Sequence, residues 1–253
     1  MRHPRHPHRP CHRSHCGTLP CQTRLWRWGL PARLGLALLW ALGAQAAWAQ
    51  GLVCSNDGQR APTALWERFM DADCSACWTA AEAPQPPGAV ALDWVTPSAK
   101  GDEAPLSAVA LSEAADRWQA LGLAVSAAGQ KATHLSRRHA KHALRVVQGV
   151  AVNGYLGATL SYRPPSQRPY TAWMLLVEQL PAGTEGSLAP RQLVRAALEM
   201  RPASQGGRVQ GLSETRAFLL PPGAQPERLR VLAWVQDGQS RLLALAQTHC
   251  QSG

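Results

Sequence analysis

The chain lacks the long apolar run that a membrane-spanning helix requires. Its N-terminal apolar stretch runs from Leu34 to Ala44, which is about half of the roughly 20 residues needed to cross a bilayer. It also has no G-x-S-x-G motif and no phosphate-binding glycine loop, and no internal repeat with a period of about 20–50 residues. These absences argue against a serine hydrolase of the nucleophile-elbow type, a P-loop enzyme and a repeat protein.

Acidic residues are missing from positions 1–49, which contain seven arginines. Arginines at 24, 27 and 33 precede the apolar stretch, and Ala47 and Ala49 then form an A-x-A pattern. Basic, apolar and small-residue regions in this order are typical of a secretory signal peptide. We expect residues 1–49 to be a basic leader and signal cleaved after Ala49, with a membrane anchor as the rival interpretation. The mature protein is then periplasmic or secreted and has no membrane partner.

The basic character of the chain comes largely from that leader. Without residues 1–49, the number of Lys and Arg residues falls from 26 to 19 against 16 acidic residues, and the formal net charge falls from +10 to +3. A charge this small gives no reason to expect nucleic acid as a partner.

Four of the seven cysteines remain in the mature chain, at positions 54, 74, 77 and 250. An even number of cysteines in an exported protein favours disulfides, and four cysteines allow three pairings. Cys74 and Cys77 are close enough to pair with each other, which leaves Cys54 and Cys250 to form a structural disulfide between the two termini. Unpaired thiols and intermolecular bridges are the alternatives.

The first half of the mature chain has the pattern of an α/β layer. Apolar runs predict strands over residues 63–71 and 89–95, and helices are predicted after Cys74 and over residues 111–122. Ser112 is placed to cap the second helix and Gly122 to end it.

The second half has the pattern of an antiparallel β unit. Asn153-Gly154 and Asp237-Gly238 each separate two strand-like runs and predict hairpins, while residues 170–180 form a continuous apolar run of buried-strand length. A short helical turn is predicted within residues 193–200. The sequence therefore predicts an α/β part over residues 50–142 and a β-rich, antiparallel sandwich-like part over residues 143–253.

The stretch "DADCSACWTA" (71–80) has a strand before its Cys-x-x-Cys motif and a helix after it, and this order resembles the thioredoxin fold. With a secretory signal and a β-rich second half, the chain resembles a family of secreted bacterial thioredoxin-like proteins of unknown function. The match to that family's cysteine stretch is limited to the Cys-x-x-Cys core, and residues 173–197 resemble a later family segment in layout. One departure is the absence of proline between Pro105 and Pro164, where the fold places its cis-proline.

The resemblance implies a thioredoxin-like N-terminal part and thiol-disulfide exchange with an exported protein, with Cys74 as the attacking thiol and Cys77 as the resolving one. A helix N-terminus would lower the pKa of Cys74, whereas Asp71 and Asp73 would raise it. A structural disulfide and a metal clip are the alternatives for this pair, although two cysteines supply only half of the ligands that zinc prefers. The alternative function is a non-catalytic binding or assembly module in which both disulfides are structural.

A second group of possible ligands lies in "THLSRRHAKHALR", which contains His134, His139 and His142. If the segment is helical, His139 and His142 share a face and can clasp a metal. The interleaved Arg137, Arg138 and Lys141 favour a solvated basic surface instead. We therefore predict neither a metal site nor a cofactor site.

Overall fold

Strands dominate the chain because most of its apolar residues occur in continuous runs or alternate with polar ones. A computed structural model describes residues 54–81, 85–123, 131–139, 141–202, 204–205 and 208–250. The predicted leader, residues 1–49, lies outside the described residues. Among the described residues, no helix is both long enough and apolar enough to cross a membrane.

The described residues form thirteen strands and two α-helices, besides short 3-10 turns. The strands are β1 (Cys54–Ser55), β2 (Ala64–Asp71), β3 (Ala89–Thr96), β4 (Lys131–Arg137), β5 (Leu144–Val152), β6 (Tyr155–Tyr162), β7 (Tyr170–Leu180), β8 (Arg191–Met200), β9 (Ser204–Gln205), β10 (Arg208–Val209), β11 (Leu212–Leu219), β12 (Leu229–Asp237) and β13 (Leu242–Gln247). The helices are α1 (Ser75–Thr79) and α2 (Ser112–Ala120).

The larger sheet has seven strands in the order β13-β12-β7-β8-β3-β2-β4. Its centre is parallel, because β3 pairs in parallel with both β2 and β8, and its remaining pairs are antiparallel. Only Asp93 and Leu193 are paired in register between β3 and β8. This short contact joins the strands of the first half of the chain to those of the second half.

The smaller sheet has four antiparallel strands in the order β1-β5-β6-β11. It packs on one face of the larger sheet through apolar side chains of β5 and β6 and of β7, β12 and β13. The side chain of Gln148 in β5 connects the two sheets. Its amide nitrogen donates to the Leu229 carbonyl of β12, and its amide oxygen accepts from the Val231 amide of the same strand. A buried amide partnered in this way avoids the cost of an unsatisfied polar group.

The other face of the larger sheet is covered by α2. Arg117 of α2 donates two hydrogen bonds of 2.9 and 2.8 Å to the buried carboxylate of Glu67, and its guanidinium lies 5.6 and 5.3 Å from the rings of Trp173 and Trp234. Trp94 also donates to Glu67. The buried charges of β2 and α2 are therefore partnered, as burial of a charge requires.

The two ends of the described chain meet at the edge of the smaller sheet. Ser55 and His249 exchange backbone hydrogen bonds, and the adjacent Cys54 and Cys250 are joined by a disulfide. The same disulfide was expected from the sequence. It closes a loop with a sequence separation of 196 residues.

The predicted fold class, a thioredoxin-like α/β part with a C-terminal antiparallel sandwich-like part, is wrong, because the described residues are mostly β and contain only the short α-helices α1 and α2. Both sheets take strands from both sides of the predicted boundary between residues 142 and 143. β8 lies directly beside β3, so the second half of the chain completes the sheet begun by the first. Strand pairing over such a sequence distance is set by tertiary packing and leaves no local pattern.

Two local predictions also need correction. Residues 193–200, predicted to contain a helical turn, lie in strand β8, where Leu193 and Val194 are buried. Leu111 rather than Ser112 is the N-cap of α2, and no side chain caps that helix. The hairpin predicted at Asp237-Gly238 is confirmed, since β12 and β13 pair in antiparallel, and its turn extends to residue 241, where the Arg241 carbonyl accepts from the Asp237 amide.

We predict that replacing Cys54 and Cys250 together by alanine lowers the free energy of unfolding by up to roughly 5 kcal/mol, because a very long loop is released in the unfolded chain. Urea unfolding at equilibrium measures the change. Replacing Cys74 and Cys77 together is the matched control, and its short loop gives a loss of only about 2 kcal/mol from chain entropy. Equal losses in the two variants would contradict this account of the terminal disulfide.

Candidate functional site

The Cys74–Cys77 disulfide lies in the turn that follows β2. The Asp71 carboxylate accepts from the Asp73 amide at 2.8 Å, and the Asp71 carbonyl accepts from the Cys74 amide, which turns the chain sharply. Cys74 is the N-cap of α1, and its Sγ accepts from the Cys77 amide at 3.2 Å. The predicted position of the pair at a helix start is therefore confirmed, although α1 has only five residues.

The two cysteines differ in exposure in a way that bears on reactivity. Cys74 is 4% exposed, whereas Cys77 is half-buried. A reactive cysteine is normally accessible and lies near positive charge. Cys74 instead follows two acidic residues, Asp71 and Asp73. The Asp73 carboxylate forms an ion pair with Lys100 at 2.7 Å. The cysteine predicted to attack is thus the more buried of the two.

Arg191, at the start of β8, holds the C-terminal end of α1. Its Nη2 donates to the carbonyl oxygens of Cys77, Trp78 and Ala80 at 3.1, 2.7 and 3.2 Å. These carbonyls belong to the last turn of the helix, whose acceptors otherwise lack intrahelical donors. The guanidinium also lies 5.3 Å from the centre of the Trp78 ring.

Asp93 of β3 holds Arg191 in turn. Its carboxylate is fully buried and forms ion pairs with Arg191, at 3.2 Å, and with Arg68 of β2. The Gln192 amide donates to the same carboxylate at 2.9 Å, at the single point where β3 and β8 pair. Burial raises the pKa of Asp93, and the charges of Arg68 and Arg191 oppose that rise. Asp93 therefore links three strands of the larger sheet to α1.

Trp78, which directly follows Cys77, is buried under the loop between β7 and β8. Its indole nitrogen donates to the Glu185 carbonyl at 2.7 Å. A cavity of about 210 Å³ adjoins it, bounded also by Leu106, Val109 and Leu193. Trp78 therefore fixes α1 against the loop between β7 and β8.

The three histidines considered as metal ligands are spread along the chain from β4 to the residues just before β5. The helical arrangement considered for them is wrong, since His134 lies in strand β4 and His139 and His142 follow that strand. Nδ1 of His142 is 3.0 Å from the Tyr162 hydroxyl. In the part of the chain that the structure describes, no group of three His, Cys, Asp or Glu side chains could hold a metal ion.

The same segment instead forms the wall of a surface cleft of about 1020 Å³. We name this the basic cleft. Its charged or titratable lining residues are Asp57, Arg138, Lys141, His142, Arg145, Tyr162 and Arg163. Asp57 accepts from Arg145 through both carboxylate oxygens, and this interaction lowers the pKa of Asp57. The sequence indicated a basic surface here, and the structure adds Arg163 from the end of β6.

No protein-family model matches the chain, and no curated protein matches it. One solved structure is similar in part: an endonuclease/exonuclease/phosphatase from Beutenbergia cavernae, with 12% sequence identity and a TM-score of 0.26. The similarity covers 48% of this chain and spans 30% of that protein's length. At this TM-score the similarity supports no argument about fold or function. The resemblance to secreted thioredoxin-like proteins stays a prediction.

Sequence reasoning missed Arg68, Asp93 and Arg191, the residues that hold the cysteine turn in place. The sequence did contain a signal for two of these residues, because Arg68 and Asp93 are charged residues within the predicted strands 63–71 and 89–95. A charge within a buried strand requires a partner of opposite charge. The sequence could not identify that partner, since Arg191 is 98 residues away from Asp93 along the chain.

We predict that Asp93→Asn lowers the free energy of unfolding by about 3–5 kcal/mol, because two buried arginines lose their counter-charge. Urea unfolding measures this loss. Glu199→Gln, which removes the exposed ion pair with Arg201, is the control and should cost no more than about 1 kcal/mol. A loss in Asp93→Asn no greater than that of the control would show that the buried cluster contributes little.

Proposed function

We propose that the chain is a non-catalytic binding module in which both disulfides are structural. The observation that carries this proposal is the position of the Cys74–Cys77 pair. Cys74 is buried, and α1 is held by Arg191 through three carbonyl oxygens. Exchange through Cys74 requires a partner disulfide to reach its sulfur, and an immobile, buried sulfur opposes that approach.

Binding is favoured over a purely structural role by the basic cleft. It is a concave surface of ligand size with several charged groups and an apolar floor, as binding sites commonly are. The cysteine pair does not line this cleft. The disulfides then stabilise the framework that carries the cleft.

An oxidising compartment, the periplasm or the cell exterior, fits this proposal. Disulfides persist in such compartments and are rare in the reducing cytosol. The predicted signal peptide, which involves none of the four paired cysteines, indicates the same compartment. A chain that begins at Gln50 when isolated from exporting cells would support export.

Thiol-disulfide exchange is the second candidate. It is favoured by the partial exposure of Cys77, which lies in the first turn of α1. In that case a partner thiol would attack Cys77 and release Cys74. Such a mechanism reverses the roles expected from the sequence.

The two candidates differ in the reduction potential of the Cys74–Cys77 pair. We predict a potential below about −300 mV, the range of structural disulfides, in equilibrium with dithiothreitol. We also predict that the reduced protein does not accelerate insulin reduction. A potential well above that value, together with insulin reduction by the wild-type protein, would overturn the binding-module proposal.

Trapping variants give an independent measure of exchange. Cys77→Ala leaves the Cys74 thiol free, and Cys74→Ala leaves the Cys77 thiol free. Cys250→Ala, which frees Cys54 of the other disulfide, is the matched control for nonspecific pairing. We expect neither of the first two variants to form more mixed disulfides with exported proteins than the control does.

A further inference from the structure

The basic cleft collects cations from separate parts of the chain. Arg138 and Lys141 come from the segment after β4, Arg145 from β5, and Arg163 from the residue after β6. Asp57 is the one acidic residue among the described residues that line the cleft. Its carboxylate is engaged by Arg145 in a bidentate pair, with distances of 3.0 and 2.7 Å to Nε and Nη2. The cleft therefore has an excess of positive charge.

Three of these cations have no acidic partner within the described ranges: Arg138, Lys141 and Arg163. Elsewhere in the described ranges, Arg201, Arg216 and Arg241 form ion pairs with nearby carboxylates, whereas other exposed arginines, such as Arg60, Arg137 and Arg168, form none. Like charges gathered around a concave surface repel one another and attract anions. Arg138, Lys141 and Arg163 thus bring positive charge without a paired carboxylate to one concave surface.

The backbone that carries these cations is anchored to the larger sheet. The Arg138 amide donates to the Thr63 carbonyl at 2.8 Å, and the His139 amide donates to the Leu242 carbonyl at 2.9 Å. Asn56, which also lines the cleft, donates from its side chain to the Leu144 carbonyl and accepts from the Val146 amide. Fixed backbone positions reduce the ordering cost of binding a ligand.

The floor of the cleft is apolar and tightly packed. Leu144, Tyr162 and Leu245 line it and are buried. The Tyr162 ring meets Tyr170 edge to face at 5.0 Å, and burial raises the pKa of Tyr162, which keeps its hydroxyl protonated beside His142. The cleft volume of about 1020 Å³ exceeds what a single small anion fills. The occupant that fits has several anionic groups on a larger body.

We propose that the basic cleft binds a multiply charged, phosphate-bearing ligand through Arg138, Lys141 and Arg163. Guanidinium groups match phosphate oxygens in a bidentate geometry, and lysine adds a mobile positive charge. The apolar floor contacts the body to which the phosphates are attached. This inference rests on the proposed binding function and specifies its ligand class. Both a soluble polyphosphorylated compound and a phosphorylated lipid headgroup have this chemistry.

Isothermal titration calorimetry of the purified protein with tripolyphosphate, inositol hexakisphosphate and inorganic phosphate, at about 0.1 M salt, tests the proposal. We expect saturable binding of the first two compounds at one site and much weaker binding of inorganic phosphate. Arg163→Ala and Arg138→Ala should each weaken the affinity about tenfold, since each removes charge-assisted hydrogen bonds. Arg163 is exposed, so its variant should retain the thermal midpoint of the wild type.

Arg137→Ala is the matched control, because it removes the same charge one residue away from Arg138 and Arg137 does not line the cleft. It should leave the affinity nearly unchanged. Absence of tripolyphosphate binding, or equal weakening in Arg137→Ala and Arg163→Ala, would overturn the proposal. The second result would mean that the anions respond only to overall charge.

Vesicles distinguish the two sources of phosphate. Flotation with phosphatidylcholine vesicles that contain phosphatidylinositol 4-phosphate, whose headgroup carries a phosphomonoester, reports binding to a phosphorylated lipid headgroup, and competition by tripolyphosphate assigns that binding to the cleft. Vesicle binding lost in Arg163→Ala supports a lipid source, and tripolyphosphate binding without vesicle binding supports a soluble one. Redox activity of the cysteine pair would overturn the binding-module proposal without changing these affinities, so the two failures are distinguishable.

Discussion

The buried carboxylate of Asp93 is the constraint on which the rest of the structure depends. It lies where β3 and β8 meet and binds two arginines from opposite sides. A fully buried carboxylate is tolerated only when its charge is compensated and its lone pairs are filled. The pairing of the two halves of the chain, the position of Arg191 and the position of α1 all follow from that requirement.

The cysteine turn is then one end of a continuous set of buried polar contacts. Arg191 joins Asp93 to the carbonyl groups of α1, and Trp78 joins α1 to the loop between β7 and β8. A Cys-x-x-Cys motif in this setting behaves as part of the framework. The open surface lies elsewhere, in the basic cleft, where cations from several segments meet and Asp57 is the one carboxylate among the described lining residues. Framework and binding surface thus occupy different parts of the molecule.

Local patterns predicted much of the secondary structure. The apolar runs gave β2, β3 and β7, and Asn153-Gly154, both with positive φ, forms the tight turn expected between β5 and β6. Gly122 likewise has the positive φ of a helix end. The error at β8 arose because its Leu, Ala, Arg and Glu residues are good helix formers. Its strand conformation is imposed by pairing with β7 along its whole length.

The overall fold and the residues around the cysteines could not be predicted in the same way. The order strand, cysteine pair, helix, strand is local and is indeed present, but β3 lies between β2 and β8, and β8 is about 100 residues further along. Relative alkylation rates of the two thiols in the reduced, folded protein test the central claim that Arg191 and its contacts keep Cys74 inaccessible. Mass spectrometry after a short pulse of iodoacetamide should find Cys77 modified well before Cys74. Modification of Cys74 as fast as or faster than Cys77 would contradict the account.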